Sequence, residues 1–176
     1  MTNKTIALDL DGVIADIADG IDMALEQRGI EDYNYTEWLT THHECNLSDG
    51  IMGNTLFWKN LKPFEDAWYQ VNTWFASGYD VYIITARRSD VSIRMTEEWL
   101  DGWKINTMRP IFCKMGEKHE IAKDLNPLFF IEDNPNEVKT LIDNGINAYL
   151  RKAWYNRPYW DQFPTIENLL EMKIND

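Results

Sequence analysis

Hydrophobic positions follow two rhythms along this 176-residue chain. Short unbroken apolar runs fall at Ile6-Ala7-Leu8, Val81-Tyr82-Ile83-Ile84, Pro110-Ile111-Phe112-Cys113, Leu128-Phe129-Phe130-Ile131 and Ala148-Tyr149-Leu150. Runs of this length predict strands buried on both faces. Between them, apolar residues recur at helical spacing: Ile14, Ile17, Ala18, Ile21 and Leu25 ahead of Gly29; Ala67, Trp68, Val71, Trp74 and Phe75 ahead of Gly78; Val91, Met95, Trp99 and Trp103; and Val138, Leu141 and Ile142 ahead of Gly145. Each stripe predicts an amphipathic helix, with glycine as the usual stop. A shorter helix is expected over 117–125. Strands that alternate with helices predict an α/β fold with a parallel, Rossmann-like sheet of about five strands. Ligands of such sheets bind beyond the carboxyl ends of the strands.

Residues 30 to 62 keep neither rhythm. Polar and aromatic residues mix there, which predicts an irregular, partly helical insertion. His42-His43-Glu44-Cys45 lies inside it. Adjacent residues point in different directions and no second ligand pair follows at a suitable spacing, so a zinc site is the weaker reading.

The first strand ends in Asp9-Leu10-Asp11-Gly12. Carboxylates are rare in buried strands unless something pairs with them. The period of two throws Asp9 and Asp11 to one side, where two anions repel and invite a cation. An all-oxygen ligand set favours Mg²⁺. A plain Asp-Gly turn is the alternative, but the flanking apolar residues and the helix that follows count against it. Asp16, Asp19 and Asp22 sit in the first turns of that helix, where its dipole favours acids. A further acidic pair, Glu132-Asp133, ends the fourth strand, and Thr85 ends the second. Asp9, Asp11, Thr85, Glu132 and Asp133 are thereby expected on one rim. Carboxylates, a hydroxyl and an ammonium gathered there suit phosphoryl transfer.

Composition narrows the partners. The formal net charge is −12, which disfavours long nucleic acid, whose binding depends on neutralised phosphates. A small phosphorylated substrate remains open, because a local cation can overrule the global sign. Cys45 and Cys113 are two isolated cysteines with no metal-binding spacing, which suits a reducing compartment. With an opening strand, no recognisable signal peptide and no apolar run of membrane-spanning length, the expectation is a cytoplasmic protein without membrane contact, homodimerisation being left open.

Asp9-Leu10-Asp11-Gly12-Val13, Ile84-Thr85 and Glu132-Asp133 together resemble the first, second and fourth motifs of the haloacid-dehalogenase-like hydrolases. The resemblance implies strand order 5-4-1-2-3, with a core of residues 1–15 and 76–176 and a small, mainly helical cap over 16–75. It implies Asp9 as nucleophile and Asp11 as acid/base, through an aspartyl-phosphate. Thr85, the Ala86 backbone and a lysine would hold phosphate. Lys118 matches the family position, with Lys114 as competitor. Mg²⁺ would be held by Asp9, the main-chain carbonyl of Asp11 and the Asp133 carboxylate. The commoner form of the fourth motif has two aspartates, so Glu132 would act through water or position its neighbours.

Leu56-Phe57-Trp58-Lys59-Asn60-Leu61, Gly78 to Ala86 and Tyr155-Asn156-Arg157-Pro158-Tyr159 resemble the 5'(3')-deoxyribonucleotidases. In that family cap aromatics wall the nucleobase, making Phe57 and Trp58 candidates for stacking. Packing of the cap on the core is the equal alternative for either ring. The expected function is a Mg²⁺-dependent phosphomonoesterase for nucleoside monophosphates. Alternatives are a phosphatase for another small metabolite or a polynucleotide end, and a non-catalytic binding module.

Overall fold

The computed structural model describes residues 4–29, 54–87 and 90–174. The stretch 30–53, with His42, His43, Glu44 and Cys45, lies outside the described residues. Among the described residues six strands form one parallel sheet: β1 (Thr5–Leu8), β2 (Asp80–Thr85), β3 (Ile111–Phe112), β4 (Phe130–Glu132), β5 (Ala148–Arg151) and β6 (Thr165–Ile166), in the order β3-β2-β1-β4-β5-β6. The order expected for five strands is kept, and the count is corrected to six. β6 has only two residues, too few to show a period, and is defined by its pairing of Thr165 with Leu150 and Ile166 with Arg151.

Period-two alternation divides the core. Ile6 and Leu8 face one cluster and Ala7 the other. The first cluster collects α1 (Ile17–Glu26), α2 (Thr55–Asn60), α3 (Glu65–Ala76) and α4 (Asp90–Trp103) through Ile21, Leu25, Phe57, Trp58, Val71, Trp74, Met95 and Trp99. The second is covered by α5 (Lys118–Leu125) and α6 (Pro135–Asp143) through Ala122, Val138 and Leu141. Local signals set the helix starts. Asp16 caps α1 by accepting the Asp19 N–H at 3.1 Å. Asn134 caps α6 by accepting the Asn136 N–H at 3.0 Å, with Pro135 in the first turn. Asp16 is thus a capping acid. Among the described residues no helix is long and apolar enough to cross a membrane.

Register places the rim. Leu8 pairs with Ile83 of β2 and with Ile131 of β4, so the residues after these three strands emerge side by side. After Leu10 the chain turns tightly: Gly12 takes φ +79° and donates to the Ala15 carbonyl at 2.9 Å. An ion pair between buried Arg151 and half-buried Asp66 locks this turn to distant elements. Arg151 donates to the Val13 carbonyl at 3.1 Å and to both Asp66 oxygens at 2.9 and 2.8 Å, and its guanidinium lies 4.1 Å from the Phe64 ring centre. Asp66 also accepts the Leu169 N–H at 2.8 Å. Removing one partner of a buried pair costs about 3 kcal/mol, because the other charge is stranded. We expect Asp66→Ala to lose about that much in urea denaturation; a loss below about 1 kcal/mol would mean the pair does not hold the turn.

Candidate active site

β1, β4 and α5 build one buried cluster. The Asp9 N–H donates to the Ile131 carbonyl at 2.9 Å, which continues the β1–β4 ladder and sets Asp9 beside Glu132. Lys118, the first residue of α5, reaches across with its Nζ 2.6 Å from Asp9 Oδ1 and 2.6 Å from Glu132 Oε2. The two candidate lysines differ in position: Lys118 is buried among the acids, whereas Lys114 is exposed and pairs with Glu117 at 3.6 Å. Glu132 Oε1 accepts the Asp133 and Asn134 N–H groups at 3.2 and 3.1 Å.

Asp133 is held from three sides. Its Oδ2 accepts the Tyr155 hydroxyl at 2.6 Å, and its main-chain carbonyl accepts Asn156 Nδ2 at 2.8 Å. A Cβ at Gly12 would stand 2.0 Å from Oδ2, so only glycine fits there. Oδ1 of Asp133 is buried with no hydrogen-bond partner among the described residues.

Asp9, Glu132 and Asp133 each offer an oxygen within 4.8 Å of the others. Among the described residues, three carboxylates against one ammonium leave the cluster short of positive charge. Burial first, then the charge of Glu132, pushes the Asp9 carboxyl up to about 8, with Lys118 pulling the other way. Burial, then Glu132 and Asp9, likewise raises Asp133 well above the usual carboxyl range. Burial works against the charge on Lys118, but Asp9 and Glu132 outweigh it and keep the ammonium protonated. A divalent cation fits this donor set: all ligands are oxygens, the charge deficit is local, and a buried carboxylate oxygen lacks a partner.

Asp11 has its own cation. Arg87 donates Nε to Asp11 Oδ2 at 2.8 Å and Nη2 to Oδ1 at 2.5 Å, a two-pronged pairing. Its third nitrogen donates to Thr96 Oγ1 at 2.9 Å, and its guanidinium lies 4.3 Å from the Trp58 ring centre. Thr85 is buried at the end of β2, beside Ala86. Phe57 and Trp58 are only 8% and 4% exposed, packed edge to face at 5.0 Å. In this conformation both rings belong to the core and neither offers an open face to a ligand.

Nothing in the sequence pattern singles out Arg87 or assigns a role to Tyr155 or Asn156. An Arg-Arg pair before a helix reads as surface, and the aromatic tail around Tyr155 has no period to reveal which rings turn inward.

No family model matches the chain. A Bacillus cereus protein described as "Putative nucleotidase" is 27% identical over 122 residues, 68% of this chain and 64% of that protein, so less than two thirds of the relative is matched. A haloacid dehalogenase-like family hydrolase from Streptococcus pneumoniae has a TM-score of 0.63 at 15% identity, over 97% of both chains. A HAD-hydrolase from Bacillus subtilis, solved bound to magnesium, has a TM-score of 0.60 at 15% identity, also over 97% of both. The chain therefore has the haloacid-dehalogenase-like fold, with an acid-and-lysine cluster at its strand ends.

The raised carboxyls have a consequence for stability. Asp9 moves from 3.8 to about 8 on folding, so between those values the folded chain holds a proton that the unfolded chain has lost. Without metal, this group's contribution is intact below about pH 4 and declines as pH rises towards 8. A cation in the cluster replaces that proton. We expect the rise in melting temperature produced by millimolar Mg²⁺ to grow between about pH 5 and about pH 8 in differential scanning fluorimetry. A rise independent of pH would place the ion elsewhere.

Proposed function

We propose that the chain is a Mg²⁺-dependent phosphomonoesterase acting on nucleoside monophosphates. The observation that carries the chemistry is Asp9, buried at a strand end with Lys118 on one oxygen and Asp133 beside it. Asp9 and Asp133, with the Asp11 main-chain carbonyl that the family resemblance implies, would hold the ion. Bound there, magnesium would draw in the phosphate and offset its charge. Oδ1 of Asp9 is taken by Lys118, which leaves Oδ2 for attack on phosphorus.

In the first half-reaction an Asp9 oxygen bonds to phosphorus as the ester P–O bond breaks, and Asp11 gives its proton to the leaving oxygen. In the second, water adds to phosphorus, its proton returns to Asp11, and Asp9 is released with inorganic phosphate. Lys118, the Thr85 hydroxyl and the Ala86 N–H would hold the phosphoryl oxygens as charge shifts among them. Both oxygens of Asp11 lie in the Arg87 fork, so the pair has to loosen for Asp11 to reach a leaving group. A halide departs as a stable anion without a proton, which would leave Asp11 idle; this favours a phosphate ester over a haloacid as substrate.

The substrate class rests on less: the Bacillus cereus relative's name and the resemblance around α2 and Tyr155. Stacking of a base on Phe57 or Trp58 would require α2 to move, because both rings are packed in the core.

Hydrolysis of p-nitrophenyl phosphate should depend on Mg²⁺ and vanish in Asp9→Asn. Turnover that survives the substitution removes the aspartyl-phosphate route, and no metal-dependent turnover in the native chain favours a binding module. A panel of nucleoside 5'- and 3'-monophosphates against sugar phosphates then decides substrate class.

Arg87 gives a finer test of the proton path. Acid–base catalysis contributes about 10²- to 10⁴-fold, and only where the leaving group needs a proton. We expect Arg87→Ala to lower kcat/KM about 100-fold on a nucleoside monophosphate, but less than about tenfold on p-nitrophenyl phosphate, whose phenolate leaves unaided. Arg87→Lys should recover part of the loss. Equal losses on both substrates would assign Arg87 to substrate binding or to folding.

A further inference from the structure

The two oxygens of Asp133 have opposite surroundings. Among the described residues Oδ1 is buried without a partner, and Oδ2 is bound by the Tyr155 hydroxyl at 2.6 Å. Oδ2 also lies against the Gly12 turn, where an added Cβ would come within 2.0 Å of it and 2.6 Å of the Tyr155 oxygen. Turning the carboxylate to present Oδ2 would break the tyrosine bond.

The tyrosine has little freedom to follow. It lies in the 3₁₀ segment Trp154–Tyr159, which neighbouring bonds pin. Asn156 donates to the carbonyls of Asp133 and Arg151 at 2.8 and 2.9 Å, and Trp160 donates to the Asn156 side chain at 2.8 Å. The ring of Tyr155 also packs edge-on against Trp154 at 5.5 Å.

Divalent ions differ in what they ask of a carboxylate. Mg²⁺ takes six ligands at about 2.0–2.1 Å and is bound through single carboxylate oxygens, whereas Ca²⁺ takes six to eight ligands and often both oxygens of one group. We propose that Tyr155 selects the ion: by occupying Oδ2, it restricts Asp133 to one coordinating oxygen, which suits Mg²⁺ and handicaps Ca²⁺. Tyr155 is thus a positioning residue that acts through Asp133. The inference rests on the magnesium site proposed above and adds a determinant of its selectivity.

The test is direct ion binding. Isothermal titration of the whole chain with MgCl₂ and with CaCl₂ gives a ratio of dissociation constants, Ca²⁺ over Mg²⁺. Partners behind a metal ligand shift affinity by about 10- to 100-fold. We expect Tyr155→Phe to lower this ratio about tenfold, because the freed oxygen becomes available to Ca²⁺. A ratio within about twofold of the native value overturns the inference while leaving the metal site standing. No Mg²⁺ binding by the native chain, or equal binding by Asp133→Asn, overturns the metal site itself. If Tyr155→Phe does not fold, a crystal structure of the native chain with Mn²⁺ decides the matter. One Asp133 oxygen on the ion with Tyr155 still on the other supports the proposal; both oxygens on the ion sink it.

Discussion

An excess of buried negative charge governs this molecule. Asp9, Glu132 and Asp133 share one rim with a single ammonium, that of Lys118. Carboxylates do not gather in a low-dielectric interior unless something else compensates them. Part of the compensation comes from backbone dipoles: two N–H groups at the start of α6 point at Glu132 Oε1. The rest is left to a proton or a cation: burial first, then the neighbouring acids, raises the proton affinities of Asp9 and Asp133. The hydrophobic register of β1 and β4 makes the crowding unavoidable. With Leu8 opposite Ile131, the acids that follow these strands have to meet.

The rim divides into two electrostatic halves. In one, Lys118 and a cation serve the acids that would meet phosphate. In the other, Arg87 serves Asp11 alone, backed by Trp58 from α2 and Thr96 from α4. In the proposed reaction, an Asp11 held on a separate cation would be spared the charge changes at Asp9 during transfer. The pairing also links α2 to the chemistry. Displacing α2 would strip the Trp58 ring from the guanidinium that orients Asp11.

Sequence pattern reveals residues whose chemistry conflicts with their surroundings. Asp9 and Asp133 end apolar strands, so their misfit is visible in one dimension, and parallel topology brings them together. Lys118 needed family resemblance, because a lysine at a helix start is ordinary until its neighbours are known. Arg87 and Tyr155 conflict with nothing nearby. Their partners lie 76 and 22 residues away, and their burial follows from tertiary packing. Phe57 and Trp58 show the reverse limit. An aromatic ring is equally suited to a core and to a base, and only coordinates reveal that these two are enclosed. β6 failed to register for a simpler reason, since two residues cannot display a period.

Glu132 shows how one methylene can shift a residue from ligand to scaffold. Its carboxylate lies within coordinating range of the cluster, yet both oxygens are already engaged. Oε2 reaches Lys118, and Oε1 folds back onto the N–H groups of Asp133 and Asn134. An aspartate at this position, shorter by one carbon, would have to surrender one of these contacts. Without the back-folded oxygen, the two N–H groups that open α6 would lose their acceptor, and the turn that aims Asp133 would slacken. Without the Lys118 contact, the ammonium would rest on Asp9 alone. The longer side chain satisfies both demands, which in the proposed site would leave coordination to Asp9 and Asp133.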